Sequence, residues 1–198
     1  MVVDNLRSEN TTTLEKMMSD AKEQKLPIPI SENDHIRGPA DARITVVKYG
    51  DFECPDCHRA HKAIRSIIRP IENKIRFVYR HFPLINIHPR ALRAAETAEA
   101  AAAQGKFWEM YELLFLNPNK LDDKHLRGYA KDIRLDLGQF DRELNEGAYT
   151  EKIRRQYQQN LIYGITGTPT FYINDVRYND SDVERMVNYI KSIIAGRN

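Results

Sequence analysis

Two cysteines three positions apart are the residues of this sequence best suited to chemistry. Cys54 and Cys57 enclose Pro55 and Asp56, and the chain contains no other cysteine. Thiols at this spacing can form a short disulfide, and a thiolate exchanges with a second disulfide through a mixed-disulfide intermediate. The pair therefore predicts a redox dithiol, in which Cys54 is the attacking thiol and Cys57 is the resolving thiol.

The elements around the cysteines are predicted to make Cys54 acidic. Apolar, β-branched residues at 44–47 predict a buried strand, and apolar residues at helical spacing predict a helix over 55–69. Pro55 is tolerated in the first helical turn, where its missing N–H has no partner to lose. Cys54 then lies at or near the N-cap, facing unpaired N–H groups and the positive end of the helix dipole. That environment lowers a cysteine pKa from about 8.5 toward roughly 3.5–7.5.

The same motif is compatible with three other kinds of site. His58 completes a Cys-x-x-Cys-His sequence, which is also the attachment signature of c-type haem. A zinc ion could take both cysteines with His58 or His61, and two buried structural cysteines are the simplest alternative. The sequence lacks an export signal and a second Cys/His pair at finger spacing, and a proline between structural cysteines is unusual. We therefore expect a dithiol that needs neither a metal nor an organic cofactor.

Composition narrows the class of protein. The chain has 198 residues, of which 41% are hydrophobic, enough for one core with an inserted subdomain. A net charge of +2 gives no argument for nucleic-acid binding, and no apolar run approaches the ~18 residues of a membrane-spanning helix. The first 20 residues lack the basic and apolar regions of a signal peptide. We expect a cytoplasmic protein, or a periplasmic one if a leader has been removed.

Hydrophobic periodicity predicts the element order β-α-β, a helical insert, then β-β-α. Strand 75–80 is predicted to be parallel to strand 43–49, and Ser181 is predicted to cap the last helix, with Glu184 completing a capping box. We expect an N-terminal segment over 1–42, a domain formed by 43–88 and 150–198, and a helical subdomain over 89–149. The remaining predicted elements are a helix at 13–25, an extended segment at 26–30, a loop at 31–42, helices at 89–104, 107–115, 122–133, 139–145, 150–163 and 183–194, and strands at 167–173 and 176–178.

Four segments together resemble the DsbA-like branch of the thioredoxin superfamily. They are 49–57 around the cysteines, Arg-His-Phe-Pro-Leu at 80–84, Gly-Lys-Phe-Trp-Glu-Met at 105–110, and Gly-Thr-Pro-Thr-Phe at 167–171. The resemblance covers roughly 34–194. It implies an α/β thioredoxin fold with a mixed sheet and an inserted helical subdomain, and the activity of a protein-disulfide oxidoreductase.

The resemblance also implies a substrate site and partners. In this family the proline matching Pro169 is cis and faces the disulfide. Thr168 could then offer its backbone N–H and C=O to an extended substrate beside Cys54. The expected partners are protein thiols and disulfides, with glutathione, a thioredoxin-type protein or a membrane redox protein as the recycling partner.

Two residues depart from the family pattern. Lys48 stands where the family often has a carboxylate, six positions before the first cysteine. A buried ammonium there would favour the Cys54 thiolate, and it could accept a proton only if its own pKa fell. Asp56 would oppose the thiolate by like charge, so the direction of electron flow stays open. A non-catalytic peptide-binding or chaperone module on the same scaffold is the alternative function.

Overall fold

A five-stranded mixed sheet organises the computed structural model, which describes residues 25–68, 74–179 and 182–195. The sheet order is β1-β3-β2-β4-β5. Strands β2 and β3 are parallel, and the other neighbours are antiparallel. This confirms the predicted α/β class and the predicted pairing of the two central strands. The strands are β1 His35–Arg37, β2 Ile44–Gly50, β3 Ile75–His81, β4 Thr170–Ile173 and β5 Val176–Tyr178.

Among the described residues, one helix connects β2 to β3, one follows β5, and the others lie in the long connection between β3 and β4. The first helix follows β2 and the last follows β5, and these two pack against each other. Four of the described helices in the β3–β4 connection lie within the insertion predicted over 89–149, and the fifth, Thr150–Ile162, lies in the segment assigned to the main domain. Within the described residues, no helix combines the length and apolar composition needed to cross a bilayer. The helices are α1 Pro55–Ile68, α2 Ala91–Ala102, α3 Phe107–Leu116, α4 Asp123–Asp132, α5 Leu137–Asn145, α6 Thr150–Ile162 and α7 Val183–Ile194.

The central strands divide the core into two layers. Successive side chains of a strand point to opposite faces of its sheet, so neighbouring valines of β2 enter different clusters. Val46 joins the larger cluster, together with residues of α1, α3 and α7. Val47 joins a smaller cluster, which Leu26, Ile30 and Tyr157 partly cover. Because both faces are buried, β2 holds its side chains away from water along most of its length.

The predicted loop over 31–42 is wrong at His35–Arg37, which form the edge strand β1. Ile36 is the single apolar residue of this strand, so the sequence carries no alternation from which a strand could be predicted. Pairing with β3 creates the strand instead. The last helix is capped by Asp182, whose side chain accepts from two backbone N–H groups. The predicted cap Ser181 and the predicted helix at 13–25, except Lys25, lie outside the described residues.

Arg80 fastens the extended segment before β1 to the sheet. Its buried guanidinium donates to both carboxylate oxygens of Asp34, at 2.7 and 2.9 Å. It also donates to the carbonyls of Ile28 and Pro29, at 2.9 and 3.0 Å, and to the Tyr49 hydroxyl at 2.8 Å. The planar guanidinium has five donors in a fixed arrangement, which suits one side chain to hold several acceptors. Arg80 therefore orders the residues from Ile28 to Asp34.

We expect Arg80→Leu to lower the free energy of unfolding by about 3–5 kcal/mol, because the largely buried Asp34 carboxylate would lose its partner. Chemical denaturation of the purified protein measures this loss. Arg127→Leu is the matched control, since Arg127 forms an exposed ion pair with Asp141 and should cost less than about 1 kcal/mol. Equal losses in the two variants would contradict this account of Arg80.

Candidate dithiol site

The two cysteines lie together at the start of α1. The helix begins at Pro55, directly after Cys54, and the two cysteines are 3.7 Å apart. Both are free thiols, with Cys54 4% exposed and Cys57 fully buried. The backbone N–H of Cys54 donates to the Asp51 carbonyl at 3.4 Å, and the N–H of His58 donates to the Cys54 carbonyl at 3.2 Å. The passage from β2 into α1 therefore fixes the positions of both sulfurs.

The surroundings of Cys54 favour its thiolate. The hydrogen bond from the Cys57 thiol lowers the pKa of Cys54 from 9.0 to about 6, although burial alone would raise it. The side chain of Thr168 also lowers this pKa by hydrogen bonding. Donors to the sulfur thus outweigh the cost of placing a charge in a partly buried position.

Cys57 has the opposite character. Burial raises the pKa of the Cys57 thiol well above its ordinary value, and its hydrogen bond to Cys54 raises it further. The positive charge of Lys48 acts in the other direction. Neutral pH therefore leaves one thiolate and one thiol, held side by side.

Lys48 points into the site and not to solvent. Its side chain is fully buried, and Nζ lies 3.4 Å from the Cys57 carbonyl oxygen and 3.5 Å from the Tyr111 hydroxyl. The ammonium also lies 4.0 Å from the centre of the Phe115 ring, a cation–π distance. Burial lowers the pKa of Lys48 from 10.5 to about 8. A fraction of this amine is thus neutral near physiological pH and could accept a proton.

The two acidic residues near Cys54 differ in position. Asp56 is exposed on the first turn of α1 and forms an ion pair with Arg59. The carboxylate that raises the pKa of Cys54 by its charge is that of Asp51. The predicted opposition to the thiolate therefore has its clearest source in Asp51, which had no predicted role.

Asp51 is held by a small network. Its buried carboxylate accepts from the backbone N–H groups of Glu53 and Leu84, at 2.7 and 2.9 Å. Nδ1 of His88 lies 2.7 Å from the same carboxylate. Asp51 lies inside the cysteine segment, so proximity could have suggested it. His88 is 37 positions away from Asp51, and no local pattern connects them.

The loop before β4 faces the dithiol. The Thr168–Pro169 peptide bond is cis, and Cys54 Sγ lies 3.4 Å from the Thr168 carbonyl oxygen, to which it can donate when protonated. The structure therefore brings the predicted residues Thr168 and Pro169 to the attacking thiol. A groove of about 470 Å³ begins there and continues along β4, β5 and α7. Its lining includes Thr168, Pro169, Phe171, Tyr178, Val183 and Met186.

The histidines of α1 are engaged away from the sulfurs. Nδ1 and Nε2 of His58 each lie 2.8 Å from a backbone carbonyl oxygen, those of Phe115 and Phe52. Nε2 of His61 lies 3.4 Å from a carboxylate oxygen of Glu112. A zinc site made from both cysteines and either histidine would therefore require these contacts to be broken.

Comparison with known protein families matches most of this chain to one family. A family model described as Thioredoxin matches residues 30–192. The Na(+)/H(+) antiporter NhaA 1 of Salinispora arenicola is 41% identical over 173 residues, which are 86% of this chain and 26% of that protein. NhaA 3 of Salinispora tropica is 41% identical over 155 residues, 78% of this chain and 24% of the relative. The chain thus spans about a quarter of the length of these relatives.

Solved structures share the fold. A thioredoxin-like oxidoreductase from Silicibacter pomeroyi superposes with a TM-score of 0.69 at 23% identity, covering 84% of this chain and 94% of the other. Oxidised BdbD from Bacillus subtilis superposes with a TM-score of 0.73 at 21% identity, covering 88% of this chain and 97% of the other. Alpha-DsbA1 from Wolbachia pipientis superposes with a TM-score of 0.72 at 22% identity, covering 86% of this chain and 94% of the other. By its family model, this chain belongs to the thioredoxin family, and its fold matches these solved structures.

Proposed function

We propose that this chain is a thiol-disulfide oxidoreductase that exchanges disulfides with protein or small thiol substrates through Cys54 and Cys57. One observation carries the proposal: two adjacent thiols have pKa values shifted in opposite directions, beside a loop that can receive a substrate. The superposing thioredoxin-like oxidoreductase from Silicibacter pomeroyi supports the same chemistry.

The first step uses the Cys54 thiolate. It attacks one sulfur of the substrate disulfide and forms a mixed disulfide, while the second substrate sulfur leaves with the electron pair and takes a proton. A pKa of about 6 keeps most of Cys54 in the reactive form at neutral pH. Low basicity also makes Cys54 a good leaving group, so the mixed disulfide is readily opened again.

The second step requires Cys57 to lose its proton. The Cys57 thiolate then attacks the Cys54 sulfur. The substrate sulfur that was bound to Cys54 leaves as a thiolate, and a Cys54–Cys57 disulfide remains. We propose that the neutral amine of Lys48 accepts the proton of Cys57. Burial lowers the pKa of Lys48 to about 8, so part of the amine is unprotonated near neutral pH. A lysine would thereby do the work of the family's carboxylate. The same steps in reverse oxidise a substrate dithiol.

The groove beside the loop suits an extended peptide. Phe171, Val183 and Met186 offer apolar contacts, while Asp56 and Arg59 line the polar side. A substrate strand beside Thr168 would place its cysteine next to Cys54, with backbone pairing as the main attraction. Such pairing is independent of side-chain sequence, which fits a site that serves several protein substrates.

The compartment and the recycling partner stay predictions. A cytoplasmic location favours net reduction of disulfides, because the glutathione and thioredoxin pools there keep thiols reduced. Net oxidation would require a dedicated electron acceptor, such as a membrane redox protein. Glutathione or a thioredoxin-type protein would restore the dithiol in the reducing direction.

We expect the reduced protein to show a thiolate absorbance transition at 240 nm near pH 6. Cys57→Ala should move this transition to higher pH, because it removes the hydrogen-bond donor to Cys54. Cys57→Ser keeps a hydroxyl donor and should move it less. One common midpoint in all three proteins would contradict the assigned hydrogen bond.

The same shift predicts a pH-dependent stability. The folded-state pKa of Cys54 lies below its ordinary value of 9.0, so the thiolate stabilises the reduced fold fully above about pH 9. This stabilisation is lost as the pH falls through about 6. The unfolding free energy of the reduced wild type, relative to Cys54→Ser, should therefore rise between pH 6 and pH 9. A flat difference over this range would argue against a native thiolate.

We expect Cys54→Ser to reduce the rate of insulin-disulfide reduction by at least ~100-fold, since it removes the nucleophile. Cys57→Ser should instead accumulate a mixed disulfide between Cys54 and the substrate, visible by mass spectrometry under non-reducing conditions. Full activity of Cys54→Ser in the cell would favour the alternative, a peptide-binding or chaperone module without redox chemistry.

We expect Lys48→Met to slow resolution of a preformed mixed disulfide by about 100-fold, the usual size of a lost general base. In the wild type this rate should fall as the pH decreases below about 8, because Lys48 becomes protonated. Lys48→Arg separates base from charge, since arginine keeps the cation and cannot accept the proton. If Lys48→Arg resolves the mixed disulfide as fast as the wild type, proton transfer to Lys48 is refuted.

A further inference from the structure

A second cluster of reactive side chains lies apart from the two thiols. His35 of β1, His81 of β3 and Glu99 of α2 meet over one face of the sheet. Nε2 of His35 lies 2.9 Å from Glu99 Oε1, and Nε2 of His81 lies 3.2 Å from the same oxygen. The three candidate ligand atoms are all within 4.8 Å of one another. Glu99 and His81 are at most 2% exposed, whereas the His35 side chain is 16% exposed.

Strand register explains how residues so distant in sequence converge. His35 pairs with Tyr79 in the ladder between β1 and β3. Tyr79 and His81 are two positions apart on β3, so their side chains share a face with His35. Helix α2 crosses this face and supplies Glu99. The ring of Phe107 stacks on the His35 imidazole, with 3.5 Å between the ring centres, and holds its orientation.

The hydrogen bonding of this cluster is incomplete. His35 forms a hydrogen bond with Glu99 Oε1, whereas His81 Nε2 makes only an ion-pair contact with that oxygen, and neither ring nitrogen of His81 has a well-aligned hydrogen bond among the described residues. A buried polar group without a partner carries a desolvation penalty, so it usually indicates a ligand, water or ion. His81 Nε2 therefore faces the oxygen that His35 already contacts without completing a well-aligned hydrogen bond to it.

We propose that His35 Nε2, His81 Nε2 and Glu99 Oε1 bind a divalent transition-metal ion, with Zn²⁺ as the best fit. Two imidazoles and one carboxylate form a known zinc ligand set, and they leave a fourth position for water. Calcium and magnesium prefer oxygen ligands, so the two nitrogens select against them.

The distances are close to those that zinc requires. Tetrahedral bonds of about 2.0–2.1 Å place donor atoms roughly 3.3–3.4 Å apart. The two nitrogen–oxygen separations at Glu99, 2.9 and 3.2 Å, are near this value. Binding would replace the proton in the bond between His35 and Glu99 by the metal, and would draw the two imidazoles together.

Lys152 is the built-in competitor of this ion. Its Nζ lies 2.7 Å from Glu99 Oε2, so it supplies a positive charge to the buried carboxylate. The Lys152 side chain is 43% exposed and approaches the oxygen that the metal does not use. The ammonium and a dication would repel each other across one carboxylate. We therefore expect Lys152 to weaken metal binding without preventing it.

The test uses the full chain with Cys54→Ser and Cys57→Ser, because the dithiol is itself a possible zinc ligand. After chelator treatment, calorimetry should detect one Zn²⁺ per chain, and Zn²⁺ should raise the melting temperature. Co²⁺ should give visible d–d absorption bands without thiolate-to-metal charge transfer. His81→Gln should weaken Zn²⁺ binding by at least ~100-fold. Loss of a group that only hydrogen-bonds to a metal ligand would weaken binding less.

Three further variants make the result decisive. His125→Gln should leave the affinity unchanged, because His125 pairs with Asp122 on α4, away from the cluster. Lys152→Met should tighten binding by about tenfold, since it removes a like charge. His35→Gln, at the more exposed ligand, replaces His81→Gln if the latter fails to fold. Absence of Zn²⁺ and Co²⁺ binding, or equal affinity in the ligand variants and the parent, would overturn the proposal.

Discussion

The hydrogen bond between the two thiols is the interaction on which the site depends. It makes Cys54 acidic, and it exists because the short link from β2 into α1 leaves one sulfur just before the helix and the other in its first turn. The sheet beneath buries Cys57 and so keeps its proton in place. Two chemically identical side chains are thus made unequal by position alone, which is what a two-step exchange requires.

A shell of aromatic rings strengthens this inequality. Phe52, Tyr79, Tyr111 and Phe115 contact one another, and all of them except Phe52 lie within 4.0–5.9 Å of the Lys48 ammonium. Rings exclude water, and in a poorly polarisable surrounding a single charge acts more strongly on its neighbours. The low pKa of the Lys48 amine and the high pKa of the Cys57 thiol therefore share one cause, their burial in this shell.

Local patterns made the centre of the site predictable. The cysteine pair and its helix carry a signal within a few residues, the Thr168–Pro169 loop was placed at the site by the family resemblance, and the structure brings them together. Lys48 could not be oriented from the sequence, because β2 is buried on both faces and its alternation has no polar side. Contacts across the sheet carried no signal at all. Asp51 with His88, and His35 with Glu99, are separated by 37 and 64 positions, and only the completed fold makes them neighbours.

The clasp that Arg80 forms with residues 28–34 has a consequence for protein engineering. This stretch precedes the first strand, yet the carbonyls of Ile28 and Pro29 and the Asp34 carboxylate accept hydrogen bonds from a residue of the central sheet. A truncation that started at β1 would leave the guanidinium only the Tyr49 hydroxyl among these acceptors and would uncover the layer beneath Leu26 and Ile30. When this unit is fused behind another polypeptide, a flexible linker belongs ahead of Leu26, so that the whole clasp travels with the fold.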